Sequence, residues 1–166
     1  MKPPSIPLDR VEALAPACFR LEVPGAYGDA NGHMNMRWFV AIFDDAGDAI
    51  YERLGLTPEY RRELGITTFD LEHHTHFLSE VVPGDTVAVY VRFVGHSAKR
   101  FHYLMFMVNE SRARLAAIFE CITTFVDARS RKATAMPADI QAGIAEWVAR
   151  DTALGWPAPV SGSMRA

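Results

Sequence analysis

Three side chains able to move protons or hold a carbonyl fall in one short run. Residues 27–39 read YGDANGHMNMRWF, with a carboxylate at Asp29, an amide at Asn31 and an imidazole at His33. They occupy alternate positions, with Gly28 just before them and Gly32 among them, glycines that let backbone approach a ligand closely. The run then turns apolar. From about Met36 to Leu54, Phe39, Ile42, Phe43, Ala46, Ala49, Ile50 and Leu54 recur at spacings of three and four. That period predicts a helix, with Asn35 as its N-cap and Gly55 as its stop. The N–H groups at a helix start favour a developing negative charge. Acid–base groups next to such a start suit attack on a carbonyl.

A second run, LEHHTHFLSEVVPGD, spans residues 71–85. Read as a strand with period two, it places Glu72, His74, His76, Leu78 and Glu80 on one face. His74 and His76 with Glu72 have the make-up of metal ligands, but no HExxH or CxxC pattern supports them, so no metal is expected. Lys99 and Arg100 follow a strand break at GHSAKR, and Arg129, Arg131 and Lys132 lie just past a later strand. Either group suits phosphate, although charge at strand ends is more often simply solvated. Asp44, Asp45, Asp48 and Glu52 on the long helix read as a solvated face or a subunit rim, and Trp38, Phe39 and Phe43 as core packing.

The elements that must position these residues follow from the same patterns. CFRLEV (18–23) alternates like a half-buried strand, and TPEYRREL (57–64) opens on Thr57 with Pro58 at the first helical position. Strands are expected over about 66–81, 86–95, 100–109 and 114–127, with turns at the Pro83–Gly84 break and at NESRAR (109–114), and a helix over 136–150. One segregated long helix among runs of strands argues for α+β, with an antiparallel sheet covering that helix. Such a sheet has an edge, and pairing across a two-fold axis would protect it.

Composition sets the outer limits. The chain has 166 residues, 49% hydrophobic and 22% charged, which suits one globular domain. We expect a Pro-rich lead-in over 1–16, a single domain over 17–150 and a flexible tail over 151–166. A formal net charge of −3 offers no case for nucleic acid, and no apolar run reaches the roughly 20 residues of a bilayer span. Four prolines interrupt the N-terminal stretch MKPPSIPLDRVEALAP, so it does not read as a signal peptide. Two widely separated cysteines, Cys18 and Cys121, point to buried thiols in a reducing compartment, hence the cytoplasm.

The element order and the stretch DANGHMNMRWFVAIFDDAGDAIYERLGL resemble the hotdog-fold acyl-CoA thioesterases of the 4-hydroxybenzoyl-CoA thioesterase type. Members carry an Asp-x-Asn-Gly-His-Met-Asn run, then a central helix ending in Leu-Gly-Leu, here Leu54-Gly55-Leu56. The resemblance extends over about 18–141. GHSAKRFHYLMFMV and CITTFVDARSRKATAMPADI look like a subgroup tied to carnitine catabolism that acts on betainyl-CoA-type thioesters.

The resemblance implies hydrolysis of a small acyl-CoA, with no cofactor beyond the CoA of the substrate, in a homodimer or dimer of dimers. It implies an oxyanion site at the backbone around His33, Met34 and Asn35. Many relatives place a catalytic Asp in this loop where Asn31 stands here, with Asp29 two residues earlier. The Asp29-x-Asn31-x-His33 pattern instead resembles plant acyl-carrier-protein thioesterases, which add an acid from the next strand. Glu80 matches that acid, as nucleophile or general base; Asn31 would position water or the carboxylate, and His33 would orient Asn31 or donate a hydrogen bond. Asp29 either acts directly or shapes the loop. For a trimethylammonium acyl group, Tyr27 and Trp38 would offer cation–π faces, and His76 would line the acyl pocket. Gly32 would admit the substrate close to the backbone, and Lys99, Arg100, Arg129 and Arg131 would hold the CoA phosphates. Two alternatives stand beside this. One is an (R)-specific enoyl-CoA hydratase, whose Gly-Asp-x-Asn-Pro-aliphatic-His motif sets Asp and His five apart rather than the four of Asp29 and His33. The other is an acyl-CoA-binding protein without turnover.

Overall fold

The computed structural model describes residues 5–166. The first four residues of the expected lead-in therefore lie outside the described residues. Within the rest of that segment Leu8–Glu12 form a short helix, α1, which buries Val11.

The strands are β1 (Phe19–Glu22), β2 (Ile66–Phe77), β3 (Thr86–His96), β4 (Arg100–Asn109) and β5 (Arg114–Asp127). They form one five-stranded antiparallel sheet in the order β1-β3-β4-β5-β2. β1 pairs with β3 in the register Phe19–Val89, Leu21–Val87. The long helix α2 is Met36–Arg53, α3 is Pro58–Leu64 and α4 is Ala138–Thr152. This is the expected α+β class.

The predicted helix signals operate as read. The Asn35 side-chain oxygen accepts the Arg37 N–H at 3.2 Å, which caps α2. Gly55 ends it at φ +78, where a side chain would be strained. Thr57 caps α3 by accepting the Tyr60 N–H at 3.2 Å. Asp44, Asp45, Asp48 and Glu52 are exposed on α2.

Two compact units can be told apart. One comprises residues up to Ile50 with 75–91 and 105–119; the other comprises Tyr51–His74, Arg92–Leu104 and Glu120–Ala166. In the first, α2 buries Phe39, Ile42, Phe43, Ala46 and Ile50. Phe43 stacks on Phe119 of β5 with centroids 5.0 Å apart, and Phe39 meets the edge of Phe77 at 5.2 Å. In the second, Phe93, Phe101, Tyr103 and Phe125 form an aromatic cluster, closed by Trp147 of α4 edge-on to Phe93 at 5.1 Å.

β2, the start of α4 and the last residues differ most from the sequence reading. β2 stops at Phe77 instead of running to 81. The N–H groups of Leu78 and Ser79 both point at the Ala116 carbonyl, at 2.8 and 3.1 Å, so two residues oppose one and the ladder ends in a bulge. The alternation that put Glu80 on the face of His74 and His76 is thereby broken. α4 starts two residues late because Met136 precedes Pro137, whose ring disfavours the helical region for it, and Pro137 itself is the extended N-cap at ψ 143. The last residues, expected as a flexible tail, are part of the second unit. Buried Arg92 lies 4.0 Å over the Trp156 ring and donates to the Trp156 carbonyl at 2.8 Å, while the Ser161 N–H donates to Glu120 at 2.7 Å.

Candidate active site

The loop before α2 is closed by its own backbone. The Asp29 N–H donates to the His33 carbonyl at 2.8 Å and the Gly32 N–H to the Asp29 carbonyl at 3.0 Å. The Asp29 carboxylate accepts the Asn31 N–H at 2.8 Å, an Asx turn of the kind this residue type favours. Gly32 takes the φ of +79 that the turn demands. One further bond fixes the loop to the segment after β2: the Met34 N–H donates to the Val81 carbonyl at 2.7 Å. Each of those residues directly follows a candidate, so the bond sets His33 and Glu80 abreast. His33 Nε2 lies 3.3 Å from Glu80 Oε2, with side chains 42% and 66% exposed.

This pair stands at a cavity of about 390 Å³ that Asp29 also lines. Its walls include Met34, Met36, Phe39 and Phe77. Two carboxylates and an imidazole thus meet an apolar, aromatic pocket. An imidazole beside a carboxylate can orient it, and a carboxylate open to solvent can take a proton from water.

The other predicted residues divide. Asn31 is exposed and does not line the cavity, whereas Asp29, which the sequence left between direct action and shaping the loop, does. The amides expected to hold an oxyanion are partly committed: that of Met34 to Val81, and that of Asn35 to the Tyr27 carbonyl at 2.9 Å. Met36, the first residue of α2, lines the cavity, and a first helical N–H has no acceptor within its helix. Tyr27 and Trp38 do not form an open aromatic cage. They stack on each other at 3.8 Å with planes 2° apart, and the Arg37 guanidinium lies 5.3 Å over the Trp38 ring. Neither they nor His76 line the cavity. His74 contacts Glu72 at 3.2 Å and Ser163 at 3.4 Å, and among the described residues no three metal-binding side chains converge.

The phosphate candidates lie in the second unit, where the fold brings the two groups together. Lys99 Nζ donates to the Ala133 carbonyl at 3.4 Å, so the Lys99–Arg100 turn adjoins the turn of Arg129, Arg131 and Lys132. Arg131 is held at φ +60 and lines a groove of about 290 Å³ with Phe69, Leu71 and Val126.

Sequence reasoning missed the lining residues Met36, Phe77 and Ser79, and the network behind Glu80. There, buried Asp85 accepts from Val82, Asn109 and Arg112. Burial pushes the Asp85 carboxyl up, but those three donors outweigh it and hold the group below the usual carboxylate range. The Pro83-Gly84-Asp85 turn was visible in the sequence; its distant partners were not.

The family model described as the thioesterase-like superfamily matches residues 23–144. The chain belongs to that superfamily. The matched span holds the loop, α2 and Glu80. A betainyl-CoA thioesterase of Pseudomonas aeruginosa is 38% identical over 74 residues, covering 45% of this chain and 46% of that protein. An L-carnitine dehydrogenase/betainyl-CoA thioesterase of Agrobacterium fabrum is 31% identical over 115 residues, 69% of this chain and 23% of that protein. The chain thus spans less than half the length of these curated relatives. A Staphylococcus aureus protein solved in complex with CoA superposes with a TM-score of 0.80 at 26% identity, covering 89% of this chain and 93% of that one.

Proposed function

We propose that this thioesterase-like chain hydrolyses an acyl-CoA thioester to the free acid and CoA, at the cavity beside His33 and Glu80. The 3.3 Å contact between those side chains carries the reading. Glu80 acts as general base: it takes a proton from water, whose oxygen attacks the thioester carbonyl. The C–S bond breaks as the tetrahedral intermediate collapses, and the proton passes to the CoA sulfur. His33 orients the Glu80 carboxylate. The Met36 N–H at the start of α2 receives the oxyanion, and Asp29 lines the same cavity. The substrate supplies the only CoA, and no further cofactor takes part.

The acyl group is a small cationic one, of the betainyl type that two relatives are named for. Phe39 and Phe77 supply aromatic faces in the cavity, and Asp29 and Glu80 supply negative charge, which suits a trimethylammonium group. Lys99, Arg100, Arg129 and Arg131 hold the CoA phosphates; the neighbour solved with CoA supports a CoA ligand. The working form is a homodimer or dimer of dimers. β2 stands at the sheet edge with Phe69 58% and Leu71 46% exposed, an apolar edge of the kind that pairs. Both cysteines are buried reduced thiols, which supports a cytoplasmic setting, and among the described residues no helix is long and apolar enough to cross a membrane.

A thiol-release screen tests this. Betainyl-CoA is expected to turn over faster than butyryl-CoA, and Glu80→Gln to lower kcat by about 10²–10⁴-fold, the usual worth of a general base. Crotonyl-CoA hydration without thiol release would point to a hydratase instead. Binding without release from any ester would leave a non-catalytic module.

A further inference from the structure

Glu80 leaves the sheet before it reaches His33. β2 ends at Phe77, so strand pairing does not hold the residue that carries the chemistry. Its side chain is 66% exposed, so packing does not hold it either. The backbone just beyond it is held from two sides. The Val81 carbonyl accepts from Met34 at 2.7 Å, and the Val82 N–H donates to Asp85 Oδ2 at 3.0 Å.

Asp85 is fixed in its turn. Its residue is 7% exposed. Oδ2 also accepts from Asn109 Nδ2 at 2.7 Å and from Arg112 Nε at 3.0 Å, and Asn109 Oδ1 accepts the Arg112 N–H at 3.2 Å. The Asp85 N–H returns to the Val82 carbonyl at 3.0 Å, and its carbonyl accepts from Val23 at 2.8 Å. The turn also seats the catalytic loop, since a Cβ on Gly28 would lie 3.1 Å from Pro83 Cγ. One buried residue thus ties these parts together: its carboxylate holds the β4–β5 connection and the stretch that carries Glu80, and its backbone carbonyl holds the end of β1.

We propose that Asp85 is the positioning residue for Glu80: through the Val82 N–H it sets the backbone that presents the Glu80 carboxylate to His33 and the cavity. This rests on the reading of Glu80 as the base. A turn that only had to fold would need one acceptor for Val82. This one has a carboxylate clamped by three donors and charge-balanced by Arg112, an arrangement that restricts movement. Stiffness matters here because a displacement of about 1 Å can cost about 100-fold in rate.

The test is a kinetic cycle on the full chain. Asp85→Asn keeps one oxygen for Val82 and Asn109 but removes the charge that balances Arg112 and sets an amide where Oδ1 meets Arg112 Nε at 3.3 Å. It is expected to lower kcat at least about tenfold with KM changed by less than about twofold. In a Glu80→Gln background the same change is expected to alter the residual rate by less than about twofold, because its route to the chemistry is already gone. Arg112→Gln, at a half-exposed side chain, loosens the clamp without emptying it and is expected to lower kcat in the same direction; it decides the matter if Asp85→Asn does not fold. Wild-type kcat in folded Asp85→Asn, or in Arg112→Gln should that variant decide, overturns the inference. So does an equal factor for Asp85→Asn with and without Glu80. If Glu80→Gln alone keeps the wild-type rate, the base assignment falls and takes this role with it; that result is read before the cycle is closed.

Discussion

At the scale of single residues, the turn before α2 sorts side chains that lie only two positions apart. Asp29, Asn31 and His33 alternate, so all three are visible at once, but alternation in a loop does not say which side chain faces inward. The turn decides that. Asp29 folds back on the Asn31 N–H and still lines the cavity, while Asn31 is left exposed. Asn31→Ala is accordingly expected to change kcat by less than about threefold, and His33→Ala to lower it by about 10-fold or more; steady-state thiol release on both variants checks the order. The role of Glu80 is separable by isotope. Under single turnover in H₂¹⁸O, a general base places the label in the released acid and none in the protein. Label recovered on Glu80 by peptide mass spectrometry would mean a covalent acyl-enzyme instead.

At the scale of elements, the helix signals were local and therefore legible. Asn35, Thr57 and Gly55 act within a few residues of themselves, and each does what its type predicts. Removing the α2 cap with Asn35→Ala is expected to lower stability by about 1 kcal/mol, measured by urea unfolding. The end of β2 was not legible, because the bulge depends on the Ala116 carbonyl, 38 residues from Leu78. For the same reason the face shared by His74, His76 and Glu80 dissolved, and Phe77 emerged as a cavity wall. The clamp on Asp85 has a consequence for acid stability. Its folded-state carboxyl lies below its ordinary value, so the unfolded chain binds the proton more readily. The stabilisation is fully present above about pH 4 and is lost as pH falls through the lower folded value. Asp85→Asn is expected to flatten that acid limb in unfolding curves between about pH 5 and 2.

At the scale of the whole molecule, the α+β class followed from element order alone, since one long helix with an apolar face among long strands leaves few alternatives. The packed C-terminal segment did not, because its anchors are Arg92 and Glu120, far away in sequence. The exposed apolar edge of β2 makes an assembly prediction. Phe69→Lys is expected to shift the protein toward monomer in sedimentation velocity while leaving the fold intact; an unchanged sedimentation coefficient would place the contact elsewhere. One further property concerns how this protein can be watched. Cys18 is 8% exposed and Cys121 fully covered, and burial, with Asp70 nearby, pushes the Cys121 thiol up to about 12. At neutral pH only roughly one such thiol in 10⁵ is a thiolate. An aromatic disulfide reagent will therefore be nearly blind to the native chain, so the colour it develops in an assay comes from CoA. When the chain opens, the same reagent begins to titrate the protein itself, and the rate of that labelling becomes a direct clock for unfolding.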